Sequence, residues 1–318
     1  MNLLGATTAI TKASAPASKT FWYTVAHYNG LALTATNGMI WATAPVDLGI
    51  PPCVVGLDAL HRTALRDVAS LEYNDAKLIV KIRPRSRITL NAGNDDQYPR
   101  PPHVDYDWKP LQPGIKNVLA SLIHFTDDAN WSPWVSAVHV GVDLTLATDR
   151  AEMAVAAWGT NNTVPGYSIG PAACAFIMAQ EDEPSRVHVD DRGVSFEWTN
   201  GLNLRARYID DIAPDAVWTM ASSLPAVASQ VVPEGLVDAV DNFVKIGVKI
   251  FTVMPDHVSA DFDNGNVREE IALGWPSSLW DCRRAQRMLK YATHIERGND
   301  GFIRWSGPGL RGVLAGRR

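Results

Sequence analysis

The feature that most constrains this chain is a strand–turn–strand pattern that recurs three times along its 318 residues. Residues Leu31 to Ala42 read as an apolar strand, a polar turn carrying Ala35-Thr36-Asn37, and a second strand. Residues Leu144 to Val155 repeat this with Ala147-Thr148-Asp149 in the turn, and Val258 to Ile271 has the same shape. The spacing is roughly one small domain each time, so the chain reads as copies of one supersecondary unit rather than as unrelated domains.

The surroundings of each passage repeat as well. A helix follows at Gly56 to Asp67, at Pro171 to Gln180 with proline opening it, and at Asp281 to Ala292 with Asp281 placed as N-cap. A helix also opens each unit. Asn2 to Lys12 is weakened by Gly5 and its threonines, Gly114 to His124 aligns Ile115, Val118, Leu119 and Leu122, and Glu234 to Ile246 aligns Leu236, Val237, Val240, Phe243 and Val244. Alternating runs at Leu78 to Arg83, Arg87 to Asn91, Arg186 to Asp190, Val194 to Trp198 and Leu202 to Tyr208 predict half-buried antiparallel strands. Asp191-Arg192-Gly193 and Thr199-Asn200-Gly201 are hairpin signals. The third unit closes with Gly301 to Ser306 and Leu310 to Ala315. The expected fold class is therefore α+β: three similar units, each of two helices packed on antiparallel sheet, spanning residues 1–105, 106–221 and 222–318. The connectors fall near Tyr106 and Ala221.

Composition removes several function classes. Twenty-nine Lys and Arg against thirty-four Asp and Glu give a formal charge of −5. That excludes a polycation coating nucleic acid by bulk charge, but not a basic patch on an acidic body. Cys53, Cys174 and Cys282 lie far apart with no CxxC, which predicts three idle thiols in a reducing compartment. No apolar run is long enough to span a bilayer, and Met1 to Ile10 lacks a basic leader, so a cytoplasmic, non-membrane protein is expected.

No catalytic constellation stands out, and no metal or cofactor is expected: there is no HExxH and no His/Cys set at ligand spacing. His188 and Asp190 share one strand face and read as a polar sheet surface. Asp149 reads as a turn-forming side chain. Gly307 to Gly312 has GxGxxG spacing, but about ten residues remain after the first glycine, too few for the strand–turn–helix that a dinucleotide site needs. It predicts a tight turn between two strands.

The basic residues carry the functional signal. Between Asp281 and Ala292 the apolar stripe is Cys282, Ala285, Met288, Leu289 and Ala292, which leaves Arg283, Arg284, Arg287 and Lys290 on the opposite face. On the helix from Leu57, Arg62 and Arg66 project away from the stripe of Leu57, Leu60, Ala64 and Val68. Lys116 and Lys245 sit on the opening helices of the second and third units. On a lone helix such a face is merely solvated. If the helices of all units line one channel, it becomes a surface that tracks phosphates. The helix at Pro171 to Gln180 lacks such charge. Trp131 and Trp134 flank Ser132-Pro133 in a polar loop; the first is assigned to packing, the second to packing or to one wall of an apolar pocket.

Taken in order, five segments resemble the bacterial DNA sliding clamp, the processivity subunit of the replicative polymerase. Leu146 to Val155 is similar to its middle-domain Ala-Thr-Asp-Gly-x-Arg-Leu-Ala segment. Arg85 to Leu90 with Asp96 to Arg100 resembles the end of its first domain, and Arg207 to Pro214 the same ending in the middle domain. Leu279 to Leu289 resembles the Phe-Asn-x-x-Tyr-Leu helix start of its third domain, and Arg311 to Gly316 its last strand. The resemblance implies half of a ring per chain, a homodimer that encircles double-stranded DNA, and a non-enzymatic tether for the polymerase. It also implies that polymerase and clamp loader dock through short peptide motifs. Carried over residue by residue, with Trp134 added from its loop position, the peptide pocket comprises Trp134, Thr148, Arg150, Ala151, Glu152, Met153, Val313 and Ala315. The DNA-facing set is Arg62, Arg66, Lys116, Lys245, Arg283, Arg284, Arg287 and Lys290.

This chain departs from the pattern where Arg150 replaces the glycine and Glu152 the arginine of the middle-domain segment, and where Gly-Arg-Arg replaces a Met-Pro tail. It is also shorter than a typical bacterial clamp. These departures imply a divergent, phage-encoded member whose pocket favours a different, charge-swapped peptide. The competing expectation is a clamp-fold binding module that does not close into a ring and serves regulation.

Overall fold

The computed structural model describes residues 1–15, 18–94, 96–127, 132–208, 213–262 and 265–316. Its seven described α-helices are α1 (Leu3–Ile10), α2 (Leu57–Ala64), α3 (Ile115–Leu122), α4 (Pro171–Ala179), α5 (Asp215–Ser223), α6 (Leu236–Lys245) and α7 (Cys282–Tyr291). Six match the helices expected from apolar periodicity or from their place in the repeat. The seventh, α5, lies where a connector was expected, and Ala221, taken as a unit boundary, is a buried residue inside it.

Compactness divides the chain into two units, residues 1–117 with 160–208 and residues 118–159 with 209–318. This cut crosses the three sequence repeats for a physical reason: strands of neighbouring repeats complete one another's sheets. In the first unit eleven strands form one antiparallel sheet in the order Val68–Asn74, Lys77–Ile82, Ser86–Gly93, Cys53–Gly56, Val25–Tyr28, Ala32–Thr36, Ile40–Pro45, Asn203–Arg207, Gly193–Glu197, Arg186–Asp190 and Lys109–Pro110. The join is Ile40–Pro45 of the first repeat against Asn203–Arg207 of the second, with Trp41 opposite Arg205. α1 and α2 bury Ala6 and Ile10, and Leu57, Leu60 and Ala64, as their spacing requires.

The second unit repeats the same join one repeat later. Its strands run Val138–Val140, Thr145–Thr148, Glu152–Ala156, Leu310–Ala315, Phe302–Gly307, His294–Arg297 and Gln230–Val231. Here Glu152–Ala156 of the middle repeat pairs with Leu310–Ala315 of the last, and Met153 stands opposite Val313. A four-stranded sheet, Gly265–Glu269, Val258–Phe262, Ile250–Val253 and Ser278–Asp281, completes the unit. α6 buries Leu236, Ala239, Val240 and Phe243, and α7 buries Cys282, Ala285, Met288 and Leu289. Phe243, Phe251 and Trp280 continue that core as a chain of rings 5.5 and 5.6 Å apart. Asp281 caps α7 as expected, its carboxylate accepting from the Arg284 N–H at 3.1 Å.

Gly312 fixes how closely the two repeats meet. A Cβ there would lie 2.1 Å from the Met153 carbonyl oxygen and 2.5 Å from the Trp305 ring, so only glycine admits this strand beside Glu152–Ala156. Pro308 and Gly309 make the two-residue turn expected there, with Gly307 paired to Leu310. All three cysteines are buried and unbridged. No described helix is long and apolar enough to cross a membrane.

Candidate functional site

The Ala-Thr-Asn/Asp passages fold into the same turn. In the first repeat the Thr36 hydroxyl donates to the Ile40 carbonyl at 2.6 Å and accepts from the Gly38 N–H at 3.0 Å, while Asn37 Oδ1 accepts from Met39 and Ile40. In the second, Thr148 donates to the Glu152 carbonyl at 2.6 Å and accepts from the Arg150 N–H at 3.0 Å, while Asp149 Oδ1 accepts from Ala151 and Glu152. The turn-forming role expected for Asp149 is thus present. The turn needs a left-handed residue at its third position: Gly38 has φ +88°, and Arg150 takes φ +75° in its place. Held there without glycine's freedom, Arg150 carries a conformational cost of about 1–2 kcal/mol.

Beside this turn lies a cavity of about 400 Å³. Its walls are Trp134, Thr148, Arg150, Ala151, Glu152, Met153 and Val313, joined by Pro214, Ala216, Val217 and Met220 of α5 and its lead-in, and by Phe302. Seven of the eight expected pocket residues therefore meet here. Ala315 does not line it; its N–H donates to the Ala151 carbonyl at 2.7 Å and so holds the turn to the last strand. Under the cavity Met153, Val155, Leu146, Val313, Ala221 and Leu224 form one buried cluster. Trp134 is buried and packs with Val135, Ala213, Val217 and Trp218. Trp131 lies outside the described residues. The α5 wall was missed because Asp215 to Ser223 has a weak apolar stripe and follows proline; Val217, Trp218 and Ala221 at helical spacing were the available signal.

One expectation about the pocket needs correction. The Thr148 hydroxyl lines the cavity but is used twice by the turn. Glu152 borders the cavity, but strand alternation sends its carboxylate to the face opposite Met153. There its Oε2 accepts from Arg287 at 2.9–3.1 Å.

That face holds the larger correction. Arg284 and Arg287 were expected on an open phosphate-facing surface. Instead Arg284 donates to Asp149 at 2.8 Å, and Arg287 to Asp149 at 2.9 Å, to Glu152, and to the His124 carbonyl at 2.9 Å. The Asp149 and Glu152 side chains are 5% and 0% exposed. Amphipathic spacing places a side chain off the core stripe of its own helix, but not whether a neighbouring element covers it. Burial pushes the Glu152 carboxyl up to about 8 against the pull of Arg287, with the Asp149 charge adding to the rise. One of its oxygens, Oε1, is buried without a partner.

The remaining cations fall into two groups. Arg283 and Lys290 on α7, Lys245 on α6, and Arg62 and Arg66 at α2 are exposed. Arg62 forms an exposed pair with Asp58, 2.9 Å away, which is weak and easily exchanged for another anion. Lys116 is not presented as expected; its ammonium donates to the carbonyls of Gln180 and Glu181. His188 and Asp190 come together at 3.5 Å, but buried Arg205 donates to Asp190 at 2.6 Å, and its charge opposes a cation there.

Sequence comparison finds no matching family model and no significantly similar curated protein. Comparison of structures does. A DNA polymerase sliding clamp from Caulobacter crescentus superposes with TM-score 0.80 at 15% identity, and the DNA polymerase III beta subunit of Thermotoga maritima with 0.78 at 15%; each match covers 99% of this chain and 97% of the other. The Helicobacter pylori beta clamp bound to a DNA ligase peptide matches with TM-score 0.71 at 12% identity, over 99% of this chain and 98% of the other. The chain has the fold of the bacterial DNA polymerase sliding clamps, from end to end.

Proposed function

We propose that this protein is a DNA sliding clamp: three like units per chain, the first two meeting near residue 105 and the last two at α5, supply half of a homodimeric ring that encloses duplex DNA and tethers a replicative polymerase. The observation that carries this reading is the match along 97–98% of bacterial clamps, with the internal repetition that a ring of like units requires. The mechanism is topological. Phosphate contacts from Lys and Arg carry no sequence information, so the ring slides, and tethering raises the polymerase's effective concentration at the primer end. No covalent step is needed. Arg62, Arg66, Lys245, Arg283 and Lys290 are the side chains assigned to phosphate. Arg284, Arg287 and Lys116 are assigned to holding the fold.

The cavity beside Met153 and Val313 is assigned to a short apolar peptide segment of the polymerase and of the loader. The apolar walls, one flexible thioether and the likeness to a clamp crystallised with a ligase peptide support this. The cytoplasm of a bacterium or of a phage-infected host cell is the compartment this reading implies.

Solution mass and retention on circular DNA test the proposal together. A dimer retained on nicked circular DNA and lost on linearisation is the expected result. A strict monomer at micromolar concentration, or equal retention on both DNAs, overturns ring closure and leaves the clamp-fold binding module. That rival draws support from the engagement of two α7 arginines within the fold, where both donate to Asp149 and Arg287 also to Glu152.

A further inference from the structure

The Glu152 carboxylate faces α7, so among the described residues of the cavity wall the charged group presented to solvent is Arg150, which is exposed. The Arg150 guanidinium lies 5.7 Å from the Trp134 ring centroid and donates to the Ser132 hydroxyl at 2.5 Å. These contacts aim a cation across the opening of an otherwise apolar cavity rather than leaving it to sweep through solvent. The equivalent turn of the first repeat is built from the same hydrogen bonds with Gly38, so the turn itself does not need a charged side chain.

Resting on the peptide-pocket reading above, we infer that Arg150 is a specificity determinant: the cavity selects partner segments in which apolar side chains are flanked by a carboxylate, and the carboxylate meets Arg150 at the rim. The apolar side chains enter between Met153, Val313, Val217 and Phe302. A guanidinium pairs a carboxylate through parallel N–H donors, which fixes the segment's direction as well as its charge. Repulsion at the same point rejects segments flanked by Lys or Arg. This reverses half of the charge swap expected from sequence. The pocket gains a cation at position 150 and, because Glu152 turns away, its described lining residues present no anion to the ligand.

Four labelled peptides test the inference on the full chain by fluorescence anisotropy: Gly-Ser-Asp-Ile-Phe-Ser-Gly, Gly-Ser-Ile-Phe-Asp-Ser-Gly, and the first of these with Asn or Lys in place of Asp, all with blocked ends. One Asp peptide is expected to bind about tenfold more tightly than the Asn peptide, and the Lys peptide more weakly still. Arg150→Gly, which suits the left-handed turn, should erase the preference, and Arg150→Glu should invert it towards Lys. Met153→Ala should weaken all four peptides alike. Equal affinities for Asp, Asn and Lys, with Met153→Ala still harmful, overturn the role of Arg150 and leave the pocket standing. Binding of none of the four, or binding indifferent to Met153→Ala, overturns the pocket reading and this inference with it.

Discussion

Replacing Arg287 with Met should reveal the ionisation of Glu152 as a pH-dependent loss of stability. In the native chain Glu152 is fully buried, and its carboxyl is raised from its ordinary 4.5 to about 8. A native group with a raised value holds its proton longer than the unfolded chain does, so its stabilising effect is complete below pH 4.5 and is lost as pH rises towards 8. Below pH 8 Arg287 therefore faces a largely neutral acid, and Arg287→Met should cost about 1–2 kcal/mol, the price of charge-assisted hydrogen bonds left unmade. Asp149 keeps Arg284 and two backbone N–H groups, so it adds little. Above pH 8 the wild type ionises against Arg287, while the variant, lacking that cation, must hold the proton. The difference should then grow by about 1.4 kcal/mol per pH unit. Urea unfolding followed by tryptophan fluorescence at pH 7 and pH 9 measures it, since Trp280 and Trp305 are buried in the same unit. In a Glu152→Gln background the effect of Arg287→Met should lose its pH dependence. A destabilisation in the wild-type background that is the same at both pH values would refute the reasoning.

Gly312→Ala should lower stability by about 2–3 kcal/mol in a thermal melt, because a methyl placed 2.1 Å from the Met153 carbonyl forces two paired strands apart. Asp281→Ala should cost about 1 kcal/mol through loss of the α7 cap, with the midpoint of urea unfolding as the readout. Arg283→Glu combined with Lys290→Glu should abolish retention on circular DNA and leave the oligomeric state unchanged in sedimentation. Arg287→Met should keep retention on DNA near wild type, and loss of retention in that variant with the oligomeric state unchanged would assign Arg287 to phosphate after all.

The repeat was legible in sequence because the turn chemistry is local. Thr36 and Asn37, and Thr148 and Asp149, satisfy hydrogen bonds within four residues of themselves, so the motif survives as letters. Four helices, α2, α3, α6 and α7, were legible for a similar reason: a stripe of apolar side chains at helical spacing records the burial of one face; α1 and α4 were legible from their place in the repeat. α5 was not, since it is pinned to the sheet by Val217, Trp218 and Ala221 and otherwise reads as a proline-led connector. Most of the pocket was legible through Met153 and Val313. Its far wall was not.

By itself the sequence determined three copies of one α+β unit, the hairpin turns, the cap at Asp281 and the residues that line one side of the cavity. Each depends on interactions between residues close along the chain or on the period of a single element. Only the tertiary structure decided that neighbouring repeats share their sheets, that Arg284 and Arg287 lie against Asp149 and Glu152 more than 130 residues away, and that the Glu152 carboxylate turns from the pocket while Arg150 stands at its mouth. A helical wheel fixes where a side chain leaves its own helix. Which oppositely charged group meets it is set by the packing of another element, and that packing leaves no periodic trace in the sequence.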